Sequence, residues 1–303
     1  MRTPGAPIGA ATVRAPGACG ELVQGMLDGV HFLITCPIDF FSRVQVTLYN
    51  HGPGVDGPFD CPKAVAALNA TLAHLGQKDI GAKLTIQNPI PKSKGLGSSS
   101  ADVAATIAAT GLAFGTQLSP ETMARIALSV EPSDGVMFPG IALMDHREGL
   151  ILETLGPPPP MEIVALDFGG TVDTLEFNAV DRHYQWRAIQ AEVDEALLLV
   201  KAGIEDSDPE SVGRGATISA RASLRVSPKP MLQPVLDFAE AVGAVGVNVG
   251  HSGTIIGVLL DARERRGKSV FRLAKNSFPD AEMVHHFRLW GGGVRPVTPE
   301  AEA

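Results

Sequence analysis

The sequence predicts an α+β protein built from two closely packed lobes, and three observations lead to this prediction. The chain has 303 residues, a length at which a single hydrophobic core usually stops growing and the chain divides. Apolar residues alternate in several short segments, as they do in strands, and helical segments lie among them. Gly156 is followed by four prolines, a stretch that favours a stiff extended spacer. We therefore predict an N-terminal lobe over residues 1–156 and a C-terminal lobe over residues 161–297.

The N-terminal lobe is predicted to combine strands with three helices. A helix should begin at Pro62 and end near residue 75, closed by Gly76, and an alanine-rich helix should cover 98–114. A third helix should start with Ser119 as its N-cap and Pro120 as its first residue, and run to about residue 130. Alternating apolar positions predict strands at 30–35, 41–48, 82–87, 141–145 and 150–154.

The C-terminal lobe should begin with a strand at 161–168 and continue into a mostly helical region at 178–242. Glycine, proline and polar residues predict breaks in that region at Gly203, 208–213 and 227–230. Strands at 244–249, 254–260 and 282–289 and a helix at 268–277 should then follow, and this order suggests a split βαβ sheet. We expect the tail at 298–303 to be frayed.

The composition excludes several classes of function. Hydrophobic residues make up 45% and charged residues 19%, which is typical of a compact folded protein. The net charge is −8 and the basic residues are scattered, so a nucleic-acid partner is not expected. Cys19, Cys36 and Cys61 are odd in number and lack metal-binding spacing, which fits a reducing cytoplasm. No apolar run is long enough for a signal peptide or a membrane span, so we expect no membrane association.

The segment PIPKSKGLGSSSADVAA, residues 89–105, predicts a phosphate-binding loop. Gly95 and Gly97 allow positive φ and close approach of the backbone to a ligand, and serines follow where a helix begins. The free N–H groups and the dipole at that helix start suit a phosphate oxygen. A Walker A pattern is absent, and Ser100 replaces the third glycine of a dinucleotide motif. The alternative is a glycine turn before a serine-capped helix that binds no ligand.

Within that segment, PKSKGLGSSSA at 91–101 resembles the signature of the GHMP kinases, which are named for galactokinase, homoserine kinase, mevalonate kinase and phosphomevalonate kinase. RAPGACGELVQG at 14–25 resembles the first motif of that family, with Ala18 where a lysine is common. GVNVGHSGTIIGVLL at 246–260 resembles the third. The resemblance implies the family's fold, an N-terminal lobe like the second domain of ribosomal protein S5 and a ferredoxin-like C-terminal lobe.

Two stretches are most similar to the bacterial L-threonine kinases of cobalamin biosynthesis. They are CGELVQG at 19–25 and EPSDGVMFPGIALMDHREG at 131–149. This resemblance implies an ATP-dependent kinase that converts L-threonine, or a similar amino alcohol, to its phosphate ester and ADP. Homoserine kinase or a kinase of another small alcohol remains an alternative. A regulator that binds nucleotide without turnover is a third, raised by Ala18 and by the altered third motif.

The resemblance also implies roles for individual residues. Ser99 and Glu131 would hold Mg²⁺, and Asp134 would accept the proton of the acceptor hydroxyl, orient that hydroxyl, or be a second metal ligand. For Glu131 and Asp134 the alternative is a solvated helix end followed by a turn. The residues expected to bind ATP are Pro91, Lys94, Gly95, Leu96, Gly97, Ser98, Ser99, Ser100 and Ala101.

The acceptor pocket is predicted from residues of the first and third motifs. Glu21 would bind the ammonium group of an amino-acid acceptor, or else form a structural salt bridge or hydrogen bond. His251 and Ser252 would line the pocket, because no acid that could complete a hydrolase triad is identifiable. Lys92 and Lys94 reach the ATP phosphates in one interpretation and are merely solvated in the other. The sequence leaves a homodimer open.

Overall fold

A long antiparallel hairpin begins the fold. The computed structural model describes residues 6–50, 54–77, 79–170 and 180–297. Strand β1, Pro7–Leu27, is followed by β2, Val30–Tyr49, and the two are joined by the dipeptide Asp28-Gly29. Both turn residues have positive φ, 51° and 84°, the conformation that an Asp-Gly hairpin turn requires. This hairpin crosses the middle of the sheet and carries the first sequence motif.

The sequence prediction missed β1 and divided β2 into two pieces. Pro16 and Gly17 in β1 and Pro37 in β2 argue against strands by composition. In the structure the register of the hairpin shifts between Pro16 and Ala18, again before Glu21, and again before Val23. These irregularities accommodate residues that a regular ladder would reject.

The remaining N-terminal elements agree closely with the prediction. Ser119 caps the third helix, since its Oγ accepts the Thr122 N–H at 3.2 Å. The predicted helices and strands are confirmed with ends that differ by at most two residues, and β3 is an unpredicted two-residue strand. In order, the elements are β3 (Val55–Asp56), α1 (Pro62–His74), β4 (Gly81–Gln87), α2 (Ser98–Ala113), α3 (Pro120–Leu128), β5 (Ile141–Met144) and β6 (Leu152–Gly156).

The C-terminal elements follow the tetraproline segment, which joins β6 to the next strand. The predicted strands and the late helix are confirmed here, while residues 178–179 and the tail at 298–303 lie outside the described residues. The elements are β7 (Met161–Asp167), α4 (His183–Arg187), α5 (Gln190–Glu205), α6 (Pro209–Ser223), α7 (Leu232–Ala241), β8 (Gly246–Val249), β9 (Ile256–Asp261), a 3₁₀ turn (Ala262–Glu264), α8 (Gly267–Ser277), β10 (Met283–Arg288) and β11 (Arg295–Pro296).

Two of the predicted helix breaks were wrong or misplaced. Gly203 lies inside α5, where an added Cβ would be 2.8 Å from both the backbone N and Cγ2 of Val212 in α6. The glycine is therefore needed for close helix packing and does not end the helix. Asp208 is the N-cap of α6 and accepts the N–H groups of Glu210 and Ser211. The break thus ends at Asp208, and 209–213 is helical. The predicted break at 227–230 is confirmed, between α6 and α7.

Within the described residues, eleven strands join in one sheet. Its main path runs β10-β7-β9-β8-β1-β2-β4-β3, and β11, β5 and β6 pair beside it. The antiparallel order β10-β7-β9-β8, with helices between β7 and β8 and between β9 and β10, confirms the split βαβ prediction. Glu21 of β1 pairs with Val249 of β8, and this pairing connects the N-terminal strands to the C-terminal ones. The division into lobes at the prolines stays a prediction.

Two apolar clusters stabilise this arrangement. The larger one surrounds α2, whose sixteen residues are almost all buried against β1 and β2. The smaller one lies between α7, α8 and the four C-terminal strands. Among the described residues, no helix has both the length and the apolar character needed to cross a membrane.

Phe32 of β2 tests the larger cluster, since its side chain is fully buried. Phe32→Ala should lower the free energy of unfolding by about 3–5 kcal/mol, because it removes apolar contacts and leaves a cavity. Phe59→Ala is the matched control, because Phe59 is fully exposed and its loss should change stability by less than about 0.5 kcal/mol. Urea unfolding measures both, and equal losses would contradict the core assignment.

Candidate active site

The segment 91–97, called here the glycine loop, lies between β1 and the turn at 250–255 that joins β8 to β9. Gly95 and Gly97 have φ of +86° and +64°, the left-handed region that favours glycine. A Cβ on Gly97 would lie 2.9 Å from Ala18 N, and one on Gly253 would lie 2.3 Å from Gly95 Cα. No side chain fits at these contacts, so the loop can approach its neighbours only as bare backbone.

Backbone hydrogen bonds hold the glycine loop on both sides. On the β1 side, Ala18 N–H donates to Leu96 O at 3.0 Å, and Gly20 N–H donates to Gly95 O at 3.2 Å. On the other side, the N–H groups of Thr254 and Ile255 both donate to Lys94 O, at 3.2 and 3.1 Å. All three sequence motifs therefore meet at this loop.

The three serines at the start of α2 have different surroundings. Ser98 Oγ donates to Ile90 O at 3.0 Å, and Ser100 Oγ accepts the Asp134 N–H at 3.1 Å, so both hydroxyls are occupied by the protein. Ser99 Oγ donates to the Glu131 carboxylate. Gly97 is the N-cap and has no side chain that can cap the first turn of α2. The main-chain N–H groups of that turn are thus placed for an anion.

A small polar cluster fixes the start of α2 from behind. Asn88 Nδ2 donates to Ser98 O at 3.2 Å and to Asp102 Oδ1 at 2.8 Å. Ser42 Oγ of β2 donates to the same Asp102 oxygen at 2.5 Å. The buried Asp102 therefore joins α2 to β2 and to the end of β4.

Three carboxyl groups lie near the loop: Glu21 and Glu131 are buried, and Asp134 is partly buried. Glu131 contacts Ser99 on one side and forms an ion pair with Lys63 on the other. The pKa of Asp134 is raised to about 6, mainly by burial and to a smaller extent by the charge of Glu131, while the hydrogen bond with Ser100 lowers it. Burial, and then the nearby Asp134, raise the pKa of Glu21 well above its usual range, while a hydrogen bond with Thr35 lowers it.

Glu21 has an oxygen that the protein does not satisfy. Its side chain is 5% exposed, and Oε2 has no hydrogen-bond partner among the residues that the structure describes. A buried polar atom without a partner is costly, and a ligand donor at this position would remove the cost. Its lone pairs suit a charged N–H donor.

These groups open onto one cleft of about 290 Å³. Of the residues predicted from the sequence, all but Lys94 and Ala101 line it. Ala101 is fully buried in α2 beneath the loop. The predicted residues that the cleft brings together are Glu21, Pro91, Gly95, Leu96, Gly97, Ser98, Ser99, Ser100, Glu131, Asp134, His251 and Ser252.

His251 lies at the inner end of this cleft. Its Nδ1 is 2.7 Å from Gln24 Oε1, and its ring stacks on Trp186 with centroids 5.8 Å apart. The His146 ring meets it edge-on at 5.0 Å. Burial, and then the neighbouring His146 and Arg147, lower the pKa of His251 well below its usual range. The imidazole is therefore neutral and forms an aromatic wall of the pocket.

Lys94 does not line the cleft. Its ammonium is 2.8 Å from Asp167 Oδ2 and 2.9 Å from Glu282 Oε2, and it donates to Gly170 O at 3.1 Å. Thr254 Oγ1 donates to the other Asp167 oxygen at 2.6 Å. The side chain thus joins the glycine loop to the C-terminal strands, and its role as a phosphate ligand stays a prediction.

Sequence reasoning missed Lys63 and the Asp60–Lys92 pair. Lys63 is in the first turn of α1, far in sequence from Glu131, and carries no motif. Lys92 Nζ lies 2.9 Å from Asp60 Oδ2, so the ammonium is neither bare nor directed at the loop amides. In the sequence, the only indication of this pair is that Lys92 and Asp60 have opposite charges.

Known proteins share sequence similarity with this chain. The family model described as "GHMP kinases N terminal domain" matches residues 62–142. An L-threonine kinase of Salmonella typhimurium is 31% identical over 94% of this chain and 95% of its own length. An L-threonine kinase of Citrobacter freundii is 34% identical over 83% of this chain and 86% of its own length.

Solved structures show the same fold. A homoserine kinase from Cytophaga hutchinsonii superposes with a TM-score of 0.73 at 17% identity, covering 95% of this chain and 97% of that one. A mevalonate diphosphate decarboxylase from Staphylococcus aureus gives 0.70 at 16% identity, covering 96% and 98%. The chain belongs to the GHMP kinases. It is an ATP-dependent small-molecule kinase that resembles the L-threonine kinases.

A double-mutant cycle tests whether Lys94 positions the loop or binds phosphate. Lys94→Met and Asp167→Asn should each weaken Mg-ATP binding by roughly tenfold, because each breaks the same largely buried contact. The dissociation constant of the double variant for Mg-ATP should exceed that of the weaker-binding single variant by no more than about twofold. Isothermal titration calorimetry measures the dissociation constants. If Asp167→Asn binds Mg-ATP normally while Lys94→Met does not, Lys94 is a direct ligand.

Proposed function

We propose that this kinase transfers the γ-phosphoryl group of ATP to the hydroxyl of L-threonine, which yields O-phospho-L-threonine and ADP. The observation that carries the proposal is the buried Glu21 carboxyl, which lines the cleft together with Asp134 and whose Oε2 has no hydrogen-bond partner among the described residues. An acceptor with an ammonium group next to its hydroxyl would satisfy Glu21 and present the hydroxyl to Asp134. The similarity to proteins named L-threonine kinases supports this acceptor. A place in cobalamin biosynthesis, which the resemblance in sequence implies, is part of the same proposal.

The residues at the start of α2 fit the phosphates and metal of Mg-ATP. Ser99 and Glu131 together offer a hydroxyl and a carboxylate oxygen, the hard donors that Mg²⁺ prefers. Two protein ligands suffice, because Mg²⁺ usually keeps water and phosphate oxygens for its other positions. When bound, Mg²⁺ neutralises charge on the phosphate oxygens. Lys63, which already pairs with Glu131, would add positive charge at the same place.

The protein's own groups then have distinct tasks in the transfer. The first N–H groups of α2 bind phosphate oxygens and stabilise the charge that develops on them. Asp134 accepts the proton of the acceptor hydroxyl as that oxygen forms a bond to the γ-phosphorus. The bond between the γ-phosphorus and the bridging oxygen breaks, and ADP leaves with its electron pair. Glu21 and the His251 wall orient the acceptor and exclude water from the cleft.

Homoserine is the second candidate acceptor. Homoserine has the same ammonium group as threonine, and its hydroxyl lies one carbon further from that group. Glu21 would therefore bind the ammonium group of either acceptor equally well. A regulator without turnover is less well supported, because Ser99, Glu131 and Asp134 converge on a single cleft. A site freed from catalysis has no physical reason to keep buried acids.

An acceptor panel tests the proposal. The protein is incubated with Mg-ATP and L-threonine, L-homoserine, L-serine or mevalonate, and ADP release is followed. L-threonine should give the highest kcat/KM, and mevalonate, which lacks an ammonium group, should give none above background. A preference for L-homoserine would select the second candidate. No release with any acceptor would point to the non-catalytic alternative.

Glu131→Gln tests the metal-binding assignment. The variant should lower kcat by roughly 10²-fold or more, because a metal-mediated interaction carries several kcal/mol in the transition state. It should also raise the Mg²⁺ concentration needed for half-maximal rate. Glu121→Gln, an exposed change in the first turn of α3, is the control and should leave both values unchanged. Near-normal turnover of Glu131→Gln, with normal magnesium dependence, would remove Glu131 from the metal site.

A further inference from the structure

Lys229 differs from the other lysines near the cleft. Lys63, Lys92 and Lys94 each form an ion pair with a carboxylate. Lys229 lies between α6 and α7, and its Nζ donates to the backbone oxygen of Gly253 at 2.6 Å. Within the described ranges of the chain, no carboxylate lies within ion-pairing distance of it.

The charged form of Lys229 is destabilised at this position. Burial lowers its pKa to about 8, and no carboxylate among the described residues raises it. An ammonium group has three N–H donors, and the contact with Gly253 uses one of them. A desolvated cation without a counter-ion is costly, so an anion that binds here would gain a strong charge-assisted contact.

Lys229 does not itself line the cleft, but it holds a residue that does. Gly253, which it holds, lines the cleft together with His251 and Ser252. The turn that carries these three follows directly on Val249, the residue that pairs with Glu21. The charge of Lys229 also contributes to the lowered pKa of His251, so its field reaches the pocket wall.

Two observations favour a carboxylate over a phosphate as the anion. The N–H groups at the start of α2 and Lys63 already offer positive charge to phosphates. By contrast, the cleft residues Glu21, Asp134, His251, Ser252 and Gly253 include no cation. Arg147, the other cation whose charge reaches His251, already directs Nε at His146 Nε2, 3.4 Å away. An α-amino acid brings one anionic and one cationic group to this part of the cleft.

We propose that Lys229 binds the carboxylate of an α-amino-acid acceptor, across the turn from Glu21, which binds the ammonium group. The inference rests on the proposed function, because it requires an amino-acid acceptor. It makes Lys229 a residue that selects amino acids over amines and alcohols of the same size.

L-threoninamide provides the test, because a neutral amide replaces the carboxylate at almost the same size. Lys229→Met should raise the KM for L-threonine by roughly 10- to 100-fold, since it removes a buried charge-assisted contact. The KM for L-threoninamide should change by less than about threefold, because no charge pair is lost. Lys229→Arg should recover most of the affinity for L-threonine. Lys201→Met, at an exposed surface pair with Glu153, is the control for a change in net charge.

The outcomes separate this inference from the proposed function. If wild-type protein releases no ADP with L-threonine, both fail. If wild-type protein uses L-threonine but Lys229→Met raises both KM values equally, only the Lys229 inference fails. It also fails if Lys229→Met weakens Mg-ATP binding instead, since the ligand is then a phosphate. Thermal melting checks that each variant is folded. If Lys229→Met does not fold, the KM values of Lys229→Arg for the two acceptors decide whether Lys229 binds the carboxylate.

Discussion

The contact between Gly95 and Gly253 is the constraint on which the active site depends. Two backbone segments from distant parts of the chain meet where neither tolerates a Cβ. Lys94 joins the same two segments twice, through its carbonyl oxygen and through the Asp167 carboxylate. The position of the α2 N-terminus relative to the acceptor pocket is set here, so the phosphate cradle and the acceptor groups belong to one rigid arrangement of backbone.

The electrostatics of the cleft follow from its burial. Asp134 raises the pKa of Glu21, and Glu131 raises that of Asp134. Lys229 has no carboxylate partner among the residues that the structure describes. Each of these groups would be more stable if it were exposed or paired. A zwitterionic acceptor, as proposed above, would supply the missing charges of both signs, so these groups would contribute binding free energy that holds the substrate in place.

The sequence predicted the local features of this molecule better than the long-range ones. The glycine loop and the serines were found because glycines followed by serines at a helix start form one local pattern, and Glu131 and Asp134 were found through the resemblance to the kinase family. The β1 strand was missed, because bulges accommodate a proline and glycines that composition counts against a strand. Lys63, Lys94 and Lys229 have partners defined only by tertiary structure, and Gly203 was misjudged because helix packing and helix breaking both select glycine.

The pairing of β1 with both β2 and β8 has a further consequence for how this enzyme works. One strand is shared by the two sets of strands, so rotating them against each other as separate bodies would pull apart the Glu21–Val249 pair. A large hinge motion, by which many kinases assemble their catalytic groups only after substrate arrives, would therefore break this pairing. The fold would instead hold the proposed reacting groups in place, and the charges of the pocket would provide the selectivity.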